Sequence, residues 1–585
     1  MYHFREPEDR VGTISNLSLF LHRSLDTGFK TTWSGLWTPS YKLLDYYAYK
    51  LNGIWLNQDT LEAVDYGESI TYYHETDSIS VEETIKAPEN SSGLRSILKL
   101  NNKHDSVKAA RIGLEAGIDI REKSTDIPDQ NYDVEKSEDS ITVSKERDIT
   151  IKSSGELNFS GEPFIKEHRP GEKQKCLVPG DISARVELKP EEVKEIEFIF
   201  DTDQASDHDI KNREQLLDGI QSRTFNSSVK SVENLIYDSK GLGVIAGHPW
   251  FQSYWARDSF WTLLGLIDAG YLEEAKKILE NFASRDLPGK INLAGEDEPE
   301  GRIDTYPLYI IAADKLKRHY KINESIEAGM EQAFDKLDLD NGVVVHEPEG
   351  TWMDTLEREN AVDVQCLWLE AAEIMDNRKE KKKLEKGLEK YIEDDYIRDD
   401  LSSDTADTIN PAVGLMFDQF DEKYLEKINA EFSSRFGART RSVTDPGYDS
   451  SGYHTGSSWG LTSCWAAMAN FKHGKDIEGL NFLENFGSFL DTDQPGALPE
   501  VVDSEDGENL GCVEQAWSAG LFIHAVDTYL LGIEVSEDEI VIDPVTDFSG
   551  KRRNKRIGDQ YIDIKFKDGK PEIMNSPDLE RELIT

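Results

Sequence analysis

The chain has 585 residues and a formal charge of −47, from 113 acidic against 66 basic side chains. That length asks for two to four domains and supplies enough apolar residues for large cores. The negative charge is spread along the whole chain and would repel polyanions, which argues against nucleic acid or an anionic membrane as a partner.

An acidic, strongly hydrated surface suits a halophilic setting, a cytoplasm of very high salt in which charges are screened over roughly 3 Å. An ordinary acidic protein is the alternative. The cysteines, Cys176, Cys366, Cys464 and Cys512, form no Cys-x-x-Cys pair. Neither a disulfide framework nor a zinc knuckle is expected. The first ten residues are charged, and no apolar run is long enough to span a bilayer. The expected location is a reducing cytoplasm.

Residues 1–202 are predicted to form an N-terminal antiparallel β-sandwich. Segments 69–73, 79–85, 95–100, 141–143 and 193–200 are short and rich in Ile, Val, Thr and Tyr, with turn residues between them and no interleaved helices. Residues 203–244 are polar and are predicted as a helical linker. From 245 to 533 the periodicity becomes helical. Phe260, Leu263, Leu264 and Ile267 share one stripe of a helix over 258–269, which Gly270 stops. Leu272, Ala275, Ile278, Leu279 and Phe282 then line a second helix over 271–284, giving an antiparallel pair. Further helices are predicted at 307–319, 324–337, 361–375, 379–392, 422–436, 457–471, 477–490 and 512–531. Short loops pair them, and six such hairpins closed into a ring make an (α/α)6 barrel. A solenoid is the alternative, but no motif repeats at a fixed period. Residues 534–585 read as a β-rich tail, with a hairpin turn at Lys567-Asp568-Gly569-Lys570. The predicted fold class is a multidomain β + α protein, a sandwich followed by a helical barrel.

In a helical ring the loops at one end converge on the axis, and two carboxylates stand out in such loops. Asp354 ends Gly350-Thr351-Trp352-Met353-Asp354, and Glu500 ends Gly496-Ala497-Leu498-Pro499-Glu500. Two carboxylates facing each other across a sugar are the minimum equipment for cutting a glycosidic bond. Asp354 is expected as general acid, its pKa raised by burial against Trp352 and Met353, and Glu500 as general base. Read singly, each has a plainer explanation: a helix-capping aspartate and one more surface glutamate. Arg257-Asp258, flanked by tryptophans, can hold sugar hydroxyls by charge-assisted hydrogen bonds, or can simply open a helix. Asp304 has a similar setting. Trp255, Trp352 and Trp459 lie near loops and are candidate stacking platforms, whereas Trp261, Trp368 and Trp465 read as core. Gly456-Ser457-Ser458-Trp459-Gly460 fits a hydrolase elbow but lies in a helical region without the parallel sheet that elbow needs. Asp338-Leu339-Asp340-Asn341-Gly342 misses the spacing of a calcium loop. The histidines show no metal-ligand pattern. No metal and no cofactor are expected.

Taken in order, Trp255-Ala256-Arg257-Asp258-Ser259, Gly350-Thr351-Trp352-Met353-Asp354, Tyr453-His454-Thr455-Gly456-Ser457-Ser458-Trp459, Leu498-Pro499-Glu500 and Gln515-Ala516-Trp517-Ser518 resemble the amylo-α-1,6-glucosidase part of glycogen debranching enzymes, an inverting glycoside hydrolase family. The likeness runs over residues 245–530. It implies an (α/α)6 barrel, release of an α-1,6-linked glucose with inversion, Asp354 as acid and Glu500 as base. It adds His454, Gln515 and Trp517 to the substrate contacts. The expected partner is an α-glucan oligosaccharide or polysaccharide. Two departures, Ala256 where the family has glycine and Gly460 where it has proline, touch substrate-contact loops and bear on the substrate more than on the chemistry. No transferase domain fits in this chain, so the enzyme would act on stubs made by another. The competing readings are a glucoamylase-like α-1,4 exo-glucosidase, a glycoside phosphorylase and a non-catalytic glucan-binding protein.

Overall fold

The computed structural model describes residues 1–7, 9–125, 130–171, 173–210, 216–298, 302–402, 405–536, 539–574 and 582–584. The chain divides into two compact units. One is Met1–Asp209 with Ile236–Ser239 and Thr492–Pro495; the other is Ile210–Leu235, Lys240–Asp491 and Gly496–Thr585.

The first unit is a β-sandwich. Among the described residues its sheets have nine and ten strands. Ile79–Lys86, Gly93–Asn102 and Val193–Thr202 lie side by side in one, antiparallel, with Ser96 opposite both Ile85 and Phe198. Lys108–Glu122 and Tyr41–Leu51 form the middle of the other. Strand side chains alternate between faces, and the strict in–out burial of Ile79–Lys86 follows from it. The inner faces share one core, where Tyr49 meets Phe198 at 5.2 Å and Tyr47 meets Phe200 at 4.8 Å between ring centroids.

The second unit is built on helices α1 (Ser222–Asn234), α2 (Ala256–Asp268), α3 (Leu272–Ala283), α4 (Thr305–His319), α5 (Glu324–Phe334), α6 (Val362–Ile374), α7 (Arg378–Leu388), α8 (Pro411–Met416), α9 (Leu425–Lys427, continued by a π-helical turn over Ile428–Phe432), α10 (Gly460–Lys472), α11 (Asp476–Gly487) and α12 (Ala516–His524). The even-numbered helices form a closed ring, each packing on the next and α12 returning to α2. Helices α1, α3, α5, α7 and α11 pack outside it, and α9 takes the remaining place in the alternation. This is the (α/α)6 barrel.

Burial follows from the sequence. All of α2 is buried, since a ring helix has neighbours on every side, whereas α7 buries only Leu384, Gly387 and Leu388. The closing contact of the ring needs glycine on both partners, because a Cβ on Gly265 would collide with the carbonyl of Gly520.

Three places differ from expectation. The stretch read as a helical linker holds α1, which packs on α12 as an outer barrel helix; residues 211–215 of it lie outside the described residues. Helix α8 was absent from the predicted set because six residues show no readable period. The predicted helix over 422–436 breaks into short 3-10, α and π turns ending at Phe432. The tail holds strands Gly550–Ile557, Gln560–Lys567 and Lys570–Ile573, which join Leu216–Asp218 in one sheet. Asp568 and Gly569 make its turn with φ of 49° and 72°. From this sheet Arg552 and Lys555 reach buried Asp527, and Lys555 also reaches Asp268 at the C-terminal end of α2.

Candidate active site

Every candidate catalytic or substrate-binding residue from the sequence lies at or before the N-terminal end of a ring helix. Trp255 precedes α2, and Arg257 and Asp258 are in its first turn. Asp304 precedes α4. Trp352 and Asp354 lie in the loop leading to α6, His454 and Trp459 before α10, and Glu500 and Gln515 before α12, with Trp517 in its first turn. The ring helices thus present the positive ends of their dipoles to one end of the barrel.

Glu500 is buried, 2% exposed. Its backbone is fixed on both sides: its N–H donates to the Cys512 carbonyl at 2.9 Å, and its own carbonyl accepts from the Gly460 N–H at 3.3 Å. Its side chain accepts from the Cys512 N–H at 3.0 Å and from the Tyr453 hydroxyl. Burial pushes its pKa up to about 7, against the pull of these two donors. The Tyr453 phenol, raised by burial and by the charge of Glu500, stays protonated and remains a donor.

Asp258, also buried, accepts from Gln515 Nε2 at 3.0 Å. Its pKa too is pushed up to about 7 by burial, which outweighs Arg257 beside it, and Glu500 adds to the rise. Arg257 donates to Asp304 at 3.3 Å. Burial alone would lower the guanidinium, but Asp304, Asp258 and Asp354 together hold it above its usual range. Around this group Asp304 Oδ1, Arg257 Nε, Gln515 Oε1 and Trp517 Nε1 are buried polar atoms with no hydrogen-bond partner among the described residues. Such atoms are costly unless something pairs them.

Asp354 does not have the burial expected of it. Trp352 and Met353 point into the protein, at 3% and 0% exposure, while the Asp354 side chain is 34% exposed with Arg302 at 3.9 Å. The three residues before it are fixed by one buried network. Arg358 donates to Thr351 Oγ1. Trp352 Nε1 donates to Asn410 Oδ1 at 2.9 Å, and Asn410 Nδ2 donates to Asp399 at 2.7 Å and lies 3.3 Å from Met353 Sδ. Arg358 in turn pairs with Asp363 and Asp399.

The tryptophans divide differently from expectation. Trp352 and Trp459 are buried, with their rings packed on each other at 5.6 Å and against His454. They support the wall of the site and offer no open face for stacking. Trp255 is half-buried and retains some open surface, with the Lys290 ammonium 4.4 Å from its ring centroid. His454 is buried and bonded through Nδ1 to Thr355 at 2.8 Å. Burial and the nearby Arg257 and Arg358 push it down to about 3, so it is a neutral ring.

Sequence reasoning passed over Tyr453, Arg302, Arg358 and Asn410. Tyr453 stood inside a quoted motif and Arg302 two positions before Asp304; Arg358 and Asn410 fall in no motif, and both depend on Asp399, which is distant from Arg358 in sequence. The rejected Ser458 elbow is a short strand, Ser458–Trp459, in an antiparallel sheet, with its hydroxyl bonded to Ser434. Among the described residues no group of His, Cys, Asp or Glu side chains is arranged to hold a metal ion, and no helix is long and apolar enough to cross a membrane.

Residues 220–445 match the family model described as amylo-alpha-1,6-glucosidase. The matched segment runs from α1 past Arg257-Asp258, Asp304 and Asp354 and stops before His454 and Glu500. No curated protein matches the chain. A bacterial glucoamylase solved with acarbose is similar in fold, with a TM-score of 0.58 and 13% identity over 89% of this chain and 93% of that one. A candidate kojibiose phosphorylase from the human microbiome has a TM-score of 0.56 and 10% identity over 96% of this chain and 92% of that one. Over residues 220–445 the family match bears out the resemblance drawn from the motifs, and the two solved structures share the fold.

Proposed function

We propose that this protein is an inverting, exo-acting glycosidase that releases glucose from α-1,6 branch stubs of glycogen- or starch-type glucans. The observation that carries the reading is the buried group of Arg257, Asp258, Asp304, Gln515 and Trp517, with its unpaired polar atoms beside two separately placed carboxylates. A hexose at the end of a glucan presents hydroxyls that both donate and accept, and so can pair these atoms. The α-1,6 linkage rests on the family match alone.

In this reading Asp354 gives its proton to the glycosidic oxygen as the bond to the anomeric carbon breaks. Glu500 takes a proton from the water that attacks the same carbon from the opposite face. A pKa near 7 suits Glu500 to that task, because a base works best when its pKa is close to the working pH. Asp354, the more open of the two, can regain its proton from solvent after each turnover.

Phosphorolysis is disfavoured by charge. Arg257 is paired with Asp304, and Arg358 with Asp363 and Asp399. These pairs leave neither guanidinium free to hold phosphate. Incubation with a branched limit dextrin tests the reading: free glucose is expected, and glucose 1-phosphate formed only when phosphate is added would contradict it.

A further inference from the structure

The acid and the base come from distant loops, and a single hydrogen bond joins the residues next to them. Thr355 follows Asp354. His454 follows Tyr453, which donates to Glu500. Thr355 Oγ1 and His454 Nδ1 lie 2.8 Å apart. The line Asp354–Thr355···His454–Tyr453···Glu500 therefore connects the two carboxylates through two peptide bonds and two hydrogen bonds.

The two ends of the Thr355–His454 bond are unequally held. His454 is 2% exposed, stacks on Trp459 at 5.3 Å and 20°, and meets the edge of Trp352 at 5.3 Å and 80°. Thr355 is exposed. Among the described residues the Asp354 carboxyl accepts no hydrogen bond, and its nearest ionic partner is Arg302 at 3.9 Å. The Asn410 network fixes the residues before Asp354. After it, Thr355 is the first residue tied to the wall of the site.

We propose that the Thr355–His454 hydrogen bond is a tether that holds Asp354 at its working distance from Glu500, with Thr355 as a positioning residue. The proposal rests on the catalytic reading above. The neutral state of His454 keeps Nδ1 able to accept the threonine hydroxyl across the working pH range. Losing the bond would free the acid and leave the base in place, because Glu500 is held separately by Cys512 and Tyr453.

Two substrates separate these effects. An α-1,6-linked glucosyl substrate needs a proton on its leaving oxygen. α-Glucosyl fluoride does not: fluoride leaves with the bonding pair while water bonds to carbon and gives its proton to Glu500. For Thr355→Val the expected result is about a tenfold lower kcat on the linked substrate, KM within twofold of wild type, and turnover of the fluoride within twofold. Thr355→Ser keeps the hydroxyl and is expected to retain the wild-type rate on both. Wild-type rates from Thr355→Val on both substrates would overturn the tether, as would equal losses on both. If Asp354→Asn were as active as wild type on the linked substrate, the catalytic reading would fall and the tether with it.

Discussion

Tyr453 donates its phenolic hydrogen to Glu500, and this bond favours the ionised carboxylate that burial opposes. A base that must be charged to work is thus held near neutrality by two opposing effects. Tyr453→Phe removes one of the two donors that favour charge and leaves the Cys512 N–H. The pKa of Glu500 is expected to rise by roughly one unit, because the lost bond stabilised only the ionised form. Activity requires ionised Glu500, so the acid limb of the kcat profile should move to higher pH by that amount, with a several-fold lower rate at pH 7. An unmoved limb would show that Glu500 does not control it.

Glu500 also couples stability to pH. Its ordinary pKa of 4.5 is raised to about 7 in the folded protein. Between these values the folded state binds more protons than the unfolded chain, so stability falls as pH rises through the window. Glu500→Gln removes this cost. The variant should be more stable than wild type at pH 8 by roughly 3 kcal/mol, with the advantage gone near pH 4. Thermal unfolding at the two pH values checks it. The same substitution should lower kcat by at least about a thousandfold, as should Asp354→Asn, with the fold retained.

Asn410 receives Trp352 and donates to Asp399, and its Nδ2 also lies against Met353 Sδ. Asn410→Leu leaves the buried Trp352 Nε1 unpaired. A loss of about 2–3 kcal/mol in stability is expected, along with a fall in kcat larger than any change in KM, because the loop carrying Asp354 loses its support. Denaturant unfolding and steady-state kinetics read the two effects separately.

The charge of −47 makes self-repulsion a standing cost at low ionic strength. Raising KCl from 0.1 to 2 M shortens the Debye length from about 10 Å to a few ångströms. The unfolding temperature should rise across this range. A flat response would favour the ordinary acidic protein over one adapted to high salt.

The fold was legible where periodicity was strong. The strands around Ile79–Lys86 and the pair α2–α3 could be read because each buries one clear face or stops at a glycine. Helix α8 could not, having too few residues to repeat, and α1 was visible as a helix but not as an outer helix of the barrel, since its partner α12 lies almost three hundred positions further on. In the site, aromatic and acidic residues near helix starts marked the N-terminal end of the barrel. Exposure was not legible. Trp352 and Trp459 look in sequence like open platforms and are buried, while Asp354, expected to be sheltered by its neighbours, is the accessible carboxylate. A loop's direction depends on Arg358 and Asn410, which reach it from outside the motif.

The most direct test is proton NMR of the purified protein in concentrated KCl with a branched limit dextrin, following the anomeric signals from the first turnover. Initial release of β-glucose from α-1,6 stubs is the predicted result. Initial α-glucose, or glucose drawn only from linear α-1,4 ends, would contradict the account.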